Sequence, residues 1–325
     1  MKSIVITGST RGIGFGLADA FLALGCQVMI SGRDQASVDQ ATAALAARHE
    51  AGRVRVAGFP CNVTHIEELQ ALWEATSARF GAVDIWINNA GVSNRRSDYW
   101  NLSPQDVRGV IETNVIGSMY GSSVALRGMR AQGHGALYNL EGLGSSGGRK
   151  VKGLSVYGTS KAALRYFDDA LALETEGTPV IVGAIQPGMI LTDMIVGQYV
   201  DRSEEWAHDK KIFDILTSPV ETVAPWIARR VLDGTYPQRG VHPVGDRRQD
   251  HGPLPAGALP QAKRLKLQMN ADPGTASQDS VKADKSRQEW KRDSKKSLSA
   301  SICVHLWFHF FKIRRQRAGS RWHRG

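Results

Sequence analysis

Two spacings alternate along the first 250 residues. Short apolar runs at 3–7, 27–31, 53–58, 83–87, 135–140 and 179–185 are each bounded by small or polar residues. Continuous apolar runs of this length predict strands buried on both faces. Between them apolar positions recur every three or four residues, as Ile13, Leu17, Ala20, Phe21 and Leu24 do within 12–24. Residues 35–49, 65–80, 104–131 and 157–176 follow the same rule, which predicts helices with one buried stripe. Strand and helix in strict alternation predict an α/β fold. The expectation is a doubly wound parallel sheet of Rossmann type with right-handed crossovers, a single domain over residues 1–250.

The texture changes near residue 250. Residues 251–260 hold three prolines and two glycines, and 270–300 are rich in Ser, Asp, Lys, Gln and Arg. Such a composition buries too little apolar surface to offset the entropy of ordering. Residues 251–325 are therefore expected to form a disordered basic tail, with an isolated apolar-then-basic segment at 302–317.

Charge follows the same division. The chain carries a net +10, yet residues 251–325 alone hold 16 Lys and Arg against 5 Asp and Glu. The first 250 residues hold 25 against 26, so their balance gives no reason to expect nucleic acid as a partner. The tail admits three readings: a non-functional extension, a weak contact with an anionic membrane surface, or a nucleic-acid contact without a recognisable module. Three cysteines, Cys26, Cys61 and Cys303, offer no Cys-x-x-Cys spacing, so reduced thiols and no metal site are expected. No run nears the ~20 apolar residues of a spanning helix. No signal or transit peptide is visible, which predicts a cytoplasmic protein.

Candidate chemistry begins at residue 7. Gly8, Ser9, Thr10, Arg11, Gly12, Ile13 and Gly14 follow a strand and open a helix. Glycines there allow a tight turn, bring backbone N–H groups close to a diphosphate and present a helix N-terminus to it. Arg33 stands at the end of the second strand, where a carboxylate would bind the ribose of NAD. With Arg11 as a second cation, the pattern favours NADP over NAD, although Asp34 follows one residue later. Further on, Tyr157 and Lys161 are four apart and share a helix face. An ammonium beside a phenol is expected to lower a pKa that starts near ~10.

These motifs together resemble the short-chain dehydrogenase/reductase family. The glycine loop matches its cofactor motif, Asn88-Asn89-Ala90-Gly91 its Asn-Asn-Ala-Gly, Asn114 its helix asparagine and Tyr157 with Lys161 its catalytic pair. Pro187-Gly188 with Thr192 matches the segment over the nicotinamide. The resemblance spans about residues 2–245. It implies that Tyr157 exchanges a proton with the substrate oxygen and that Lys161 holds the nicotinamide ribose. Asn114 would bend its helix and hold a relay water, Asn89, Ala90 and Gly91 would line the adenosine side, and Thr192 would touch the carboxamide. Asn62 and Val63 fall on the cofactor side as well. A small carbonyl or alcohol substrate and a homodimer or homotetramer are implied too, with 104–131 and 157–176 in the interface.

One stretch departs. Aligned from Asn139, the positions of the family's serines read Glu141 and Gly142. Counted back from Tyr157, Ser145 lies 12 residues away and Ser146 lies 11, so Ser145 is the expected substrate-orienting hydroxyl. That same stretch resembles the chlorophyll b reductase branch, which implies NADPH reduction of a formyl group to a hydroxymethyl. Without a transit peptide, a non-plastid relative with another aldehyde or ketone is the competing expectation. Residues 189–216, with Met189, Ile190, Met194, Ile195, Tyr199, Val200, Trp206, Ile212 and Phe213, are expected to cover a bulky apolar substrate. A catalytically silent nucleotide-binding protein and a membrane-associated scaffold remain as alternatives.

Overall fold

Each of the six apolar runs becomes a strand: β1 (Ser3–Ile6), β2 (Gln27–Gly32), β3 (Val56–Pro60), β4 (Ile85–Asn88), β5 (Gly135–Leu140) and β6 (Val180–Ile185). All pair in parallel, in the order β3-β2-β1-β4-β5-β6. The chain thus winds outward from β1 in one direction and from β4 in the other, the Rossmann arrangement. The computed structural model describes residues 1–49, 52–146, 150–199, 203–234 and 236. Residues 1–210 and 217–244 form one compact unit, and 211–216 group with the chain beyond 244. The expected tail at 251–325 and Val200 lie outside the described residues.

Helices alternate with the strands: α1 (Gly12–Ala23), α2 (Gln35–Arg48), α3 (Gly52–Arg55), α4 (Ile66–Phe80), α5 (Pro104–Ile111), α6 (Gly117–Gln132), α7 (Ser155–Glu174), α8 (Asp193–Val196), α9 (Ser203–Leu216) and α10 (Val220–Leu232). The third run is shorter at its start than its apolar pattern suggests. Arg55 donates to the Leu22 carbonyl of α1 at 2.6 Å, and Gly52–Arg55 coils into a helical turn before Val56 enters the sheet.

Side chains leave a strand alternately up and down, and the core divides accordingly. Ile4, Ile6, Val28, Ile30, Ile85 and Ile87 pack on one face with Leu17 and Phe21 of α1 and with Val223, Ile227 and Val231 of α10. Val5, Met29, Trp86 and Leu137 pack on the other with α4, α6 and Leu171 of α7. Helix α10 lies beyond the helices anticipated above, although Val223, Ile227 and Val231 keep helical spacing. The long helix expected at 104–131 is interrupted. A π turn at Glu112–Ile116 separates α5 from α6, and Ser103 and Asp106 cap the entry to α5 reciprocally.

Candidate active site

β1 and β4 are sheet neighbours whose chains depart to opposite faces, so a crevice opens at their carboxyl ends. The glycine loop fills the β1 side of it. Gly8 and Gly12 have φ of +60° and +59°, a region that disfavours side chains. A Cβ on Gly8 would lie 2.7 Å from Ala90 Cα, so the loop rests directly on the segment after β4. Asn89 holds that contact: its Nδ2 donates to the Thr7 and Gly8 carbonyls at 2.8 Å each. The Asn89 and Ala90 N–H groups both reach Thr7 Oγ1 at 3.1 Å. On the β2 side, Ser31 N–H donates to Ser9 Oγ at 3.0 Å, and Ser9 N–H to the Ser31 carbonyl at 2.8 Å. Thr10 packs on Gly32, and Ile13 joins the core beneath.

The outer side of the loop is open. A Cβ on Gly12 would meet only Thr192 Cγ2, at 3.9 Å, and no side chain caps the start of α1. A cradle of bare backbone at an uncapped helix N-terminus fits the diphosphate of a nicotinamide cofactor. Thr192 itself comes from the opposite wall. It follows buried Pro187 and exposed Gly188, whose φ is +77°.

At the end of β2 the ambiguity between Arg33 and Asp34 is resolved by geometry. Asp34 is the N-cap of α2 and accepts the Ser37 N–H at 2.8 Å, a bond that also holds its carboxyl below the usual range. Arg33 is exposed. Arg11 is exposed as well and faces Asp193 of α8 at 3.8 Å. Asn62 and Val63 serve local structure. Asn62 accepts from the Thr64 N–H and hydroxyl, and Val63 is buried against Gly117.

The second half of the crevice lies between β4, β5 and α7. Tyr157 and Lys161 share a face of α7, with the ammonium 6.0 Å from the ring centre. Lys161 is buried, and its Nζ donates to the Leu140 carbonyl at the end of β5 at 2.7 Å. A Cβ on Gly91 would lie 3.8 Å from that Nζ and 3.3 Å from Asn114 Oδ1, so Gly91 belongs to this end of the crevice and not to an adenosine side. Asn114 sits in the π turn and is fully buried. It accepts the Val92 N–H at 2.8 Å and donates to the Val92 carbonyl and to Ser160 Oγ, both at 2.9 Å. Ser160 Oγ in turn donates to the Tyr157 carbonyl at 2.7 Å. One amide therefore ties the β4 segment, the π turn and α7 together.

The expected lowering of the phenol is not found. Burial pushes Tyr157 up to about 12, and burial pulls Lys161 down to about 8 against the fields of Asp168 and Glu141. Desolvation of both groups outweighs their mutual effect because each is largely shielded from water.

Ser145 also departs from expectation. It is buried, its Oγ accepts the Gly142 N–H at 3.1 Å and donates to the Lys161 carbonyl at 3.2 Å. Its hydroxyl secures the loop, whereas Gly142 faces the phenol, where a Cβ would lie 2.8 Å from Tyr157 Oη. Several supporting residues carry no signal in the motifs. Buried Asn94 accepts the Tyr157 N–H at 3.2 Å and donates to the Gly153 carbonyl at 3.0 Å. Gln198 joins Asn94 to the covering segment, donating to its carbonyl at 3.1 Å. Of the expected cover, Ile190 and Tyr199 are buried, Tyr199 against Trp206 at 5.2 Å, while Met189 and Met194 stay exposed.

Comparison with known proteins agrees with this geometry. A probable chloroplastic chlorophyll(ide) b reductase of Oryza sativa subsp. japonica is 32% identical over 244 residues, 71% of this chain and 47% of that protein. A second chloroplastic chlorophyll(ide) b reductase of rice is 32% identical over 235 residues, 70% of this chain and 66% of the other. The chain thus spans about half to two thirds of the length of these relatives. The crystal structure of a variant actinorhodin polyketide ketoreductase with NADPH superposes with a TM-score of 0.64 at 26% identity, covering 72% of this chain and 91% of that one. The cytoplasmic expectation does not survive these matches, since the two rice reductases are chloroplastic proteins. It had rested only on a leader not being seen. The strand–glycine–helix opening, the six-stranded order and the Tyr157–Lys161 face all fall within residues 2–202, which match the short chain dehydrogenase family, and the chain is a member of that family of oxidoreductases.

Proposed function

We propose that the protein is an NADP-dependent reductase of an aldehyde or ketone, with Tyr157 as the proton donor. The observation that carries this reading is the meeting of Tyr157 Oη, Gly142 and buried Lys161 beside the glycine loop. A bound nicotinamide supplies the hydride. The remaining operations belong to the chain. The backbone of residues 8–14 and the N-terminus of α1 bind the diphosphate, and Arg33 pairs with the 2′-phosphate. Pro187, Gly188 and Thr192 cover the nicotinamide. Lys161 holds the adjoining ribose, and Asn114 fixes the distance between α7 and the β4 segment.

A phenol held up to about 12 is protonated throughout the neutral range, the form needed to give a proton to a carbonyl oxygen as it gains charge. That favours reduction over oxidation. Gly142 leaves room opposite the phenol for a bulky carbonyl compound, and exposed Met189 and Met194 offer it an apolar wall. The two rice relatives are chlorophyll(ide) b reductases, which supports a large ring-bearing aldehyde as substrate and a plastid setting.

A second copy of the chain fits the outer faces of α6 and α7. These expose Tyr120, Tyr166 and Leu173 beside a groove of about 690 Å³ lined by Met119, Leu126, Phe167 and Leu171. One observation favours a catalytically silent nucleotide-binding protein instead: glycine stands where a substrate-orienting hydroxyl was expected. Loss of NADPH absorbance with chlorophyllide b and with smaller aldehydes, measured side by side, separates the two. Turnover of any of them supports the reductase. NADPH binding without turnover across the panel rejects it.

A further inference from the structure

Two carboxylates lie buried near the Lys161 ammonium, and the proposed proton relay uses neither. Asp168 is on the same helix, two turns on, and its Oδ1 accepts from Asn139 Nδ2. Asn139 accepts from Asn88 Nδ2 at 2.8 Å, so Asp168 is anchored in the sheet's own polar network. Glu141 is different. It occupies one of the two positions where the family resemblance leads one to expect serine, and only 2% of its surface is exposed.

The segment around Glu141 wraps the lysine. Leu140, immediately before it, accepts the Lys161 Nζ hydrogen bond at 2.7 Å. Gly142, immediately after it, lies against the lysine stem, where a Cβ would be 3.6 Å from both Cγ and Cε. Glu141 N–H donates to the Ile185 carbonyl at 2.9 Å, and its Oε2 accepts from Gln186 Nε2. Gln186 is fixed in turn, its N–H donating to Tyr236 Oη at 2.9 Å. The carboxylate is therefore held between the end of β5 and the segment leading to Pro187. Burying an acid is costly unless it is paired, and a neutral amide does not supply the opposite charge.

We infer that Glu141 is a positioning residue, a buried counter-charge that keeps the Lys161 side chain an ammonium and holds it at the end of β5. The titratable and charged groups bearing on Lys161 are Tyr157 and Asp168 on its own helix and Glu141 on the segment after β5. The π turn brings neutral Asn114, and the segment after β6 brings neutral Gln186. Burial works against the ammonium, and the two acids oppose burial. Asp168 alone would leave Lys161 with one of its two counter-charges. The inference rests on Lys161 having the place in the relay proposed above.

The test is a lysine titration in the cofactor-free protein. A 13Cε-lysine spectrum gives a Lys161 resonance, assigned by its absence from Lys161→Met. In Glu141→Gln its titration midpoint falls by about one pH unit or more. In Glu141→Asp, which keeps the charge, the midpoint stays near that of the unaltered protein. A role limited to hydrogen bonding with Gln186 leaves the midpoint unmoved in Glu141→Gln, and that result overturns the inference. Should Glu141→Gln fail to fold, 13Cδ-glutamate in the unaltered protein gives the answer. The Glu141 resonance, assigned through its own backbone, then moves with the Lys161 midpoint; a flat response there overturns the inference. Catalysis enters neither measurement. Turnover without the midpoint shift rejects Glu141's role and keeps the reductase, and the shift without turnover does the reverse.

Discussion

The two ends of the crevice are built by different means. At the glycine-loop end, the working surface is backbone: Gly8 rests on Ala90, Asn89 clamps two carbonyls, and the side facing Thr192 is left bare. None of the residues in that contact is titratable. At the Tyr157 end, the working surface is side chain: a phenol, an ammonium, two acids and the Asn114 amide, nearly all buried. The first end tolerates changes of charge but not of shape. The second should be as sensitive to a lost charge as to an added methyl group.

Lys161→Met gives the largest contrast. It removes the cation from two buried acids, and an uncompensated buried charge costs about 3–5 kcal/mol. Turnover should drop about 10³-fold or more, with a clear loss of thermal stability at neutral pH. The pH dependence has a definite sign. Lys161 titrates near 8 in the folded protein, against 10.5 for an unburied lysine, so the unfolded chain holds more protons between those values. Stability therefore rises with pH from that group above pH 8. Buried Cys61, pushed up to about 12 from 9.0, begins to oppose it above pH 9. Thermal melts between pH 8 and 9 should show the rise in the unaltered protein and not in Lys161→Met.

Gly8→Ala tests the other end. A Cβ 2.7 Å from Ala90 Cα on a backbone of φ +60° must shift the loop, at a cost of about 1–3 kcal/mol. Dissociation constants for NADPH should rise about 10- to 100-fold, with the Lys161 titration unchanged. Gly142→Ala places a methyl 2.8 Å from Tyr157 Oη. It should lower kcat about tenfold while NADPH affinity, by fluorescence titration, holds within about twofold. The smallest effect is expected from Arg33→Ala. An exposed charge-assisted contact of about 1 kcal/mol weakens NADPH binding roughly fivefold and leaves NADH binding untouched. Equal loss of both cofactors would remove Arg33 from the account.

How legible each end was in the sequence follows from the same contrast. Backbone shape is written in glycine, so residues 8–14 and the strands from β1 to β6 could be read directly from spacing. The break between α5 and α6 could not, because a π turn changes the hydrogen-bond ladder without changing the apolar stripe. Asn114 was identified by resemblance, but its ties to Val92 and Ser160 depend on that turn. The sign of the Tyr157 shift was misread for a related reason. Sequence spacing puts a lysine near a phenol, but the balance of attraction and desolvation depends on burial, which only packing supplies. Ser145 failed by counting. Counting back from Tyr157 ignores the path of the chain after β5, which turns Ser145 beneath the loop and leaves Gly142 opposite the phenol. Asp34 drew attention as a ribose ligand because its role as N-cap emerges only when Ser37 folds back onto it.

The most direct test of the account uses Tyr157→Phe in a single mixing experiment. NADPH binding is read by fluorescence, and its consumption by a carbonyl substrate that the unaltered protein reduces is read by absorbance in the same samples. The phenylalanine variant should bind NADPH within about twofold of the original and consume it about 10²- to 10⁴-fold more slowly. Consumption at the original rate would contradict the assignment of Tyr157 as proton donor, and with it the division of labour between the two ends of the crevice.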